Sequence, residues 1–453
     1  MRRGFRGIVL ACLLPSVLTP ATALAQNWSF DARNVGLGGI GSTSNIAFDM
    51  VEEQRPYRPI VLPFGLLQIL PNLPKLDPTS DEFDLIRAIE YGVSPIHYIV
   101  GRDDTSTASA FITDLRNGTL SRDLNVYRGF DPSTSTTAEG LASPNWGATI
   151  KFKKDPSGAF QGIYVGAGPY FSMQTSAEID PALADLFASP TPVYIPNTSF
   201  YMSNDTVSQF ALAVTGGYRG RFALPGHSGS GGLYAAPEGL YVGANFHYLR
   251  GFSYEHVEPD ARLDTDARGL LFVDASKGFP VTITRTTSGE GNGFAIDAGV
   301  AAVLGNWELG VGVNGIANRI DWTGVERTRY VLDNLFAGGD FLDLPTVPVD
   351  DTRVELPVDV RTHVAYNAGP WAAIGEFGHG YNGTTVRAGY EQRWDRVQLR
   401  GGARYVKERW EPTGGVGFNF TPKFGLDVGL FGTSANLERQ RHLGIAVSLR
   451  FMH

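Results

Sequence analysis

The sequence predicts an all-β membrane protein: a transmembrane antiparallel β-barrel of about fourteen strands with a small N-terminal plug containing short helices. Three observations carry that prediction. The chain opens like a secreted protein, no later stretch is apolar enough for a membrane helix, and the last hundred residues alternate between an apolar and a charged face. In residues 355–366, Leu356, Val358, Val360, Val364 and Tyr366 point one way, while Glu355, Asp359, Arg361 and His363 point the other. Such period-two alternation means strand. It returns in residues 395–406, where Val397, Leu399, Ala403 and Tyr405 oppose Arg396, Gln398, Arg400 and Arg404. The final run, 442–451, sets Leu443, Ile445, Val447, Leu449 and Phe451 on one face, as expected of the closing strand of an outer-membrane barrel.

Residues 1–25 read as a signal peptide. Arg2, Arg3 and Arg6 precede an apolar core, and Ala23-Leu24-Ala25 offers a small-residue cleavage site. Cys12 is too close to the start of that core for a lipoprotein box, and it is the only cysteine, so no internal disulfide or thiolate metal cluster is expected. Removing the signal takes away three arginines and changes the formal charge from −8 to −8 − 3 = −11, which argues against a nucleic-acid partner. A secreted chain without a run of ~18 apolar residues, if it enters a membrane, does so as a barrel. Glycine, at 55 of 453 residues, and aromatics, at 11%, fit the bends, turns and interfacial girdles of such a wall.

Residues 26–145 are expected to form the plug. Gly36, Gly38 and Gly41 match a dinucleotide fingerprint in spacing, but no βαβ unit follows, so a glycine-rich turn is the reading. Residues 60–70 are strongly apolar, include Phe64, and suit the core of a plug or an apolar ligand groove. Thr79 and Glu82 form a capping-box pair, and Phe83, Ile86 and Ile89 recur at helical spacing before Gly92.

Residues 146–453 are expected to form the barrel. Trp146, Ala148, Ile150 and Phe152 oppose Thr149, Lys151 and Lys153, and a second strand follows over 161–172. Residues 173–207 and 323–352 are polar and read as long external loops. Gly305-Asn306 marks a hairpin. The lumen-facing charges are Glu355, Asp359, Arg361, Glu376, Arg387, Glu391, Arg400 and Arg404, whose mixed signs suit a hydrogen-bonded ladder bracing the lumen better than an ion-selective ring.

No enzyme, cofactor or metal site is expected. The run Gly226-His227-Ser228-Gly229-Ser230 has a serine where a nucleophile elbow needs its second glycine. Glu255, His256, Glu258, Asp260, Asp264 and Asp266 are oxygen-rich enough to hold Ca²⁺ weakly, with a solvated acidic loop as the default.

The opening Phe30-Asp31-Ala32-Arg33-Asn34-Val35-Gly36-Leu37-Gly38-Gly39 resembles the amino terminus shared by relatives of the long-chain fatty-acid transporter FadL, including PorV-type secretion-system barrels and TraF-like conjugal-transfer proteins. Val386-Arg387-Ala388-Gly389-Tyr390-Glu391, Leu399-Arg400-Gly401-Gly402 and Gly415-Val416-Gly417-Phe418 resemble that group's closing hairpins. The resemblance implies a fourteen-stranded outer-membrane barrel of a Gram-negative-type bacterium. It places Asp31, Arg33, Gly38 and Gly39 in the plug and implies lateral release of hydrophobic small molecules through a broken strand, for which Gly168-Pro169 is the candidate. The chain lacks the Asn-Pro-Ala segment usual in the transporters, having Ser44-Asn45-Ile46-Ala47 instead. Two functions stay open: passive transport of a fatty-acid-like molecule, with outer-membrane lipid around it, or a non-transporting role beside a secretion or assembly protein.

Overall fold

The computed structural model describes residues 31–452 except 41–44, 56, 63, 77–96, 102–106, 133, 143–145, 155–157, 227–235, 340, 381–382, 407–408 and 434–441. The signal peptide, the Thr79–Gly92 helix and Ser228 lie outside the described residues. In chain order the strands are β1 (Tyr57–Val61), β2 (Tyr98–Val100), β3 (Ser135–Ala142), β4 (Trp146–Lys154), β5 (Phe160–Ile179), β6 (Ser199–Phe222), β7 (Gly239–Thr265), β8 (Leu271–Phe272), β9 (Val281–Ser288), β10 (Glu290–Leu304) and β11 (Trp307–Thr323). There follow β12 (Glu326–Leu332), β13 (Leu342–Asp343), β14 (Val347–Pro348), β15 (Thr352–Glu355), β16 (Asp359–Asn367), β17 (Trp371–Gly380), β18 (Gly383–Arg393), β19 (Val397–Val406), β20 (Arg409–Thr421), β21 (Phe424–Thr433) and β22 (His442–Met452).

All belong to one antiparallel sheet. The wall runs β4-β5-β6-β7-β10-β11-β16-β17-β18-β19-β20-β21-β22, thirteen strands each paired with the next. A fourteenth place is shared by β1 and β2, which both pair antiparallel with β22. Among the described residues no ladder joins β1 or β2 to β4. The two-residue turn Gly305-Asn306 joins β10 to β11, with Gly305 at φ +56°, where glycine costs least. Links 305–306, 368–370, 394–396 and 422–423 lie at the end where β22 finishes. Excursions 180–198, 266–289 and 324–358 lie at the other.

The polarity of this wall is the reverse of a soluble protein's. On β16, Val360 and Val364 are exposed while Asp359, Arg361 and His363 are buried; on β7, Phe246 and Tyr248 are exposed while Asn245 and His247 are buried. Leu309 and Val311 against Glu308 on β11, and Leu443 and Phe451 against Ser448 and Arg450 on β22, repeat the pattern. In water, each exposed apolar side chain forfeits about 1.5–3 kcal/mol of burial, so the belt is built for hydrocarbon. Near the short-link end the rings Trp307, Tyr366, Trp371 and Tyr390 follow one another around the wall at centroid distances of 4.7, 5.3 and 6.0 Å. Such a girdle belongs at a membrane interface. Among the described residues no helix is long and apolar enough to cross a membrane.

Several strands outrun the bilayer. β6 has 24 residues and β7 has 27, where ~9–11 suffice to cross. Their far halves, with β5, β9 and β12, frame a second apolar core containing Phe111, Phe187, Phe200, Leu263 and Tyr330. This corrects the two long loops. Residues 173–207 hold the extended ends of β5 and β6 around a helix, Pro181–Ala188, whose Leu183, Leu186 and Phe187 share one buried face. Asp180 caps it, accepting from the Ala182 amide at 2.9 Å. Residues 323–352 contain β12, β13 and β14, with β12 paired to β9. The acidic run from Glu255 is likewise strand, inside β7.

Glu355 is also corrected: it is exposed and not a lumen charge. The expected strand is broken at residues 356–358, around Pro357. The register against β11 changes from Arg319↔Glu355 to Asn314↔Asp359, a slip of one residue. A one-residue slip exchanges the faces of a strand, so Leu356 turns inward and Glu355 outward. The N-terminal segment divides too. Ile60, on β1, is exposed at the wall, and Phe64 contacts Tyr98 of β2 at 5.5 Å between ring centroids, beside β22 and away from a lumen plug.

Placing a charge on the outer belt tests the reversed polarity. Val364→Arg, at an exposed position, is expected to cost about 2–4 kcal/mol near the bilayer midplane, read from denaturant refolding into lipid vesicles. A loss within ~0.5 kcal/mol, usual for an exposed site in water, would count against a membrane-facing belt.

Candidate functional site

Two short helices dock on the inner wall. The first, Ala32–Gly36, starts because the Asp31 carboxylate accepts from the Arg33 amide at 3.0 Å. It ends at Gly38 and Gly39, with φ of +90° and +73°. Its seat is made of glycine. Gly389 and Gly402 are cross-strand partners, as are Gly415 and Gly429. A Cβ at Gly389 would stand 2.5 Å from the Leu37 carbonyl oxygen, and one at Gly402 2.5 Å from the Gly38 nitrogen. Backbone therefore rests on backbone. The second helix, Ile46–Glu52, is capped by Asn45, which accepts from the Ala47 amide at 3.1 Å. It lies over another row of paired glycines, Gly243, Gly299 and Gly312. Part of the glycine excess is thus a plug seat, beyond the bends and turns expected.

Charge locks the first helix in place. Arg33 Nε donates to Glu391 at 3.0 Å, and the same carboxylate receives Arg393 and Arg400, each at 2.6 Å. Arg400 reaches on to Asp427 at 2.7 Å, which also takes Arg450 at 3.2 Å. Ser448 Oγ donates to Asp31 at 3.1 Å and accepts from the Ala32 amide at 3.2 Å. A second group joins Arg361 to Asp359 at 2.7 Å and to Glu376 at 3.2 Å, with Arg387 on the same Glu376; Arg404 pairs with Glu411. Seven of the eight expected lumen charges are therefore buried inside the wall, in mixed-sign strings. Asp427, Arg450, Arg393 and Ser448 join them unannounced, although each occupies the polar phase of its strand. Around the second helix, Arg55 holds Glu308 at 2.7 Å and Arg219 holds Glu53 at 2.6 Å. Between the two helices lies a cleft lined by Leu37, Ile40, Phe48 and Val303.

The inward residues of β7 mark the levels above the second seat. His247 accepts or donates to Thr215 Oγ1 at 2.7 Å through Nδ1 and meets Asp297 at 2.8 Å through Nε2. Asp297 also accepts from the Gly315 amide at 2.8 Å, pinning β11 where its register slips against β10. The order hydroxyl, imidazole, carboxylate is that of an activated nucleophile, but Thr215 is only 1% exposed, so the chain acts as a clamp. Above it comes an apolar layer of Tyr170, Leu249, Tyr254, Ile320 and Trp322, completed by Val325 and Leu356 from the excursion between β11 and β16. Trp322 donates to Gln209 at 2.9 Å. Beside this layer, Gly168 and Pro169 lie within β5 and pair with Ala213 and Leu212 of β6 without a register shift. On the other side of β5, β3 pairs with residues 171–178 and β4 with residues 160–167, in antiparallel register.

No family model and no curated protein matches the sequence. Among solved structures the chain is similar to the Ralstonia pickettii toluene transporter TbuX, at 11% identity and TM-score 0.30, covering 70% of this chain and 86% of that one. The Pseudomonas putida toluene transporter TodX matches at 12% identity and TM-score 0.28, covering 70% and 86%. A triple mutant of Rhodopseudomonas blastica porin matches at 8% and 0.21, covering 65% and 100%. Likeness this distant assigns nothing by itself; the membrane reading stands on the polarity of the wall.

Two outcomes follow for the plug. Glu391→Ala leaves Arg33, Arg393 and Arg400 facing one another in a buried space, and loss of one partner from such a group costs about 3–5 kcal/mol. Hydrogen exchange over residues 31–39 should accelerate strongly while the distant β6–β7 ladder stays protected. Burial, and then the nearby Asp427 carboxylate, push Asp31 up to about 6 from 3.8. The docked state thus binds the proton more tightly than the released one, so docking is strongest below about pH 4 and weakens as pH rises through about 6. Exchange measured from pH 4 to 7 should show that slope, and Asp31→Asn should flatten it.

Proposed function

We propose that the chain is an outer-membrane barrel, in a Gram-negative-type bacterium, for passive passage of hydrophobic small molecules of fatty-acid-like character, with release sideways into the bilayer. The observation that carries this reading is the apolar layer of Tyr170, Leu249, Tyr254 and Trp322 inside a lumen whose other levels are charged. An ion or sugar pore has no use for it. Tyr170 of this layer follows Gly168-Pro169 directly on β5. Proline removes a ladder donor, which supports Pro169 as a point where β5 parts from a neighbour at lower cost. In this reading the Ala32–Gly36 and Ile46–Glu52 helices close the lower lumen and shift to let the molecule pass, without a cofactor or a covalent step.

One feature favours a second reading. The core around Phe111, Phe187 and Phe200 builds a platform on the extended strands, which transport does not require and which would suit an assembly or secretion partner.

Lipids that co-purify with the detergent-extracted barrel, compared by mass spectrometry with an unrelated barrel prepared identically, separate the two. A stoichiometric hydrophobic ligand absent from the control supports transport and names its class; no ligand, with a protein co-eluting, supports the partner role. With a ligand in hand, Pro169→Ala should cut its flux into vesicles by roughly tenfold or more, a barrier change of about 1.4 kcal/mol, with folding intact. Unchanged flux would remove Gly168-Pro169 as the exit.

A further inference from the structure

Above the apolar layer, β6 and β7 bring two carboxylates face to face. The register is unbroken from Ser203↔Asp260 to Thr206↔Val257, so Asp205 falls directly opposite Glu258. Like charges in that relation weaken a ladder. Among the described residues no basic group forms an ion pair with Glu258: Arg285 is taken by Glu255 on the other face of β7 at 2.5 Å, and Arg327, on the same face, donates to Thr286 at 3.4 Å. Among the described residues Glu258 has no hydrogen bond or ion pair. The third group at this point is an imidazole. His256, two residues from Glu258 and on the same face, sets Nε2 3.1 Å from Asp205 Oδ1. One ligand atom from each of the three lies within 4.8 Å of the other two.

We propose that Asp205, His256 and Glu258 form a binding site for one divalent transition-metal ion of the Zn²⁺ class, with water on the remaining positions. Two carboxylates and an imidazole select such an ion over Ca²⁺, which takes oxygen ligands. At ~2.1 Å per bond, two ligand atoms stand at most roughly 4.2 Å apart, so the group closes on the ion by small side-chain rotations. Side-chain exposures of 58% for Asp205 and 24% for His256 leave room for them. The bound ion replaces repulsion by a cross-strand clamp. Asp205 shares a strand face with Gln209, four residues on, whose side chain holds Trp322, so the site stands over the apolar layer. It is independent of what the barrel carries.

The test uses the full-length barrel folded in detergent, stripped with EDTA and titrated with Zn²⁺ by calorimetry. One saturable site is expected. His256→Gln and Glu258→Gln should each weaken it by more than the ~10–100-fold that loss of a merely supporting residue costs, while the exposed control His379→Gln leaves it unchanged. Co²⁺ in the same site should show visible absorption that His256→Gln abolishes, with folding of each variant checked by its gel mobility before and after heating. Absence of a saturable site, or one indifferent to His256→Gln, overturns the proposal. Filling by Ca²⁺ as tightly as by Zn²⁺ overturns the role of the imidazole.

Discussion

The arrangement depends on backbone meeting backbone. A helix laid on a β-wall ordinarily keeps about 10 Å between axes because side chains intervene. Here the wall offers Gly389, Gly402, Gly415 and Gly429 beneath the Ala32–Gly36 helix, and Gly243, Gly299 and Gly312 beneath Ile46–Glu52. The approach brings the helix ends within reach of wall side chains: Gly38 N donates to Thr413 Oγ1 at 2.9 Å, and Thr413 Oγ1 donates to the Gly36 carbonyl at 3.1 Å. It also lets Arg33 lie flat enough to share Glu391 with two wall arginines. Without the glycine rows those charges would face water across a gap, and screening would reduce their attraction sharply.

The space around the first helix is therefore filled by paired charge as much as by bulk. Each buried arginine near the first seat finds a carboxylate, and the carboxylates are shared between strands rather than held within one. Sharing costs less desolvation than separate pairs, because each added partner acts on an ion already out of water. It also ties β18, β19, β21 and β22 to the plug through one string, so moving the helix disturbs several strands together.

Much of this was legible in the sequence, because a membrane wall writes its two faces at period two. The strands from Asp359 to Phe451 follow their alternation residue by residue, and seven of the eight marked charges point inward. The failures have definite physical causes. Glu355 was misplaced because a slip at Pro357 reverses the strand face, and one sequence carries no sign of the register on its neighbour. Residues 173–207 passed for a loop because their outer strands face water on one side and a separate core on the other, diluting the apolar signal. Leu183, Leu186 and Phe187 behind Asp180-Pro181 could have revealed the helix. The glycine seats were hidden because a glycine that admits a helix is spelled like one that turns a chain. Nor does spacing within β7 reveal that Asp205, fifty residues away, stands across from Glu258.

The pairing of β1 with β22 reaches beyond the finished structure. Tyr57 stands opposite Met452 and Val61 opposite Ser448, so the final edge of the wall is covered by one of the chain's earliest segments. Loop-closure entropy rises with the length enclosed, and contacts of this range form slowly. Most wall strands zip onto a neighbour adjacent in the chain, whereas this one must wait for the last strand to exist. Pairing of Tyr57–Val61 with β22 is therefore a late contact, made after neighbouring strands have zipped together.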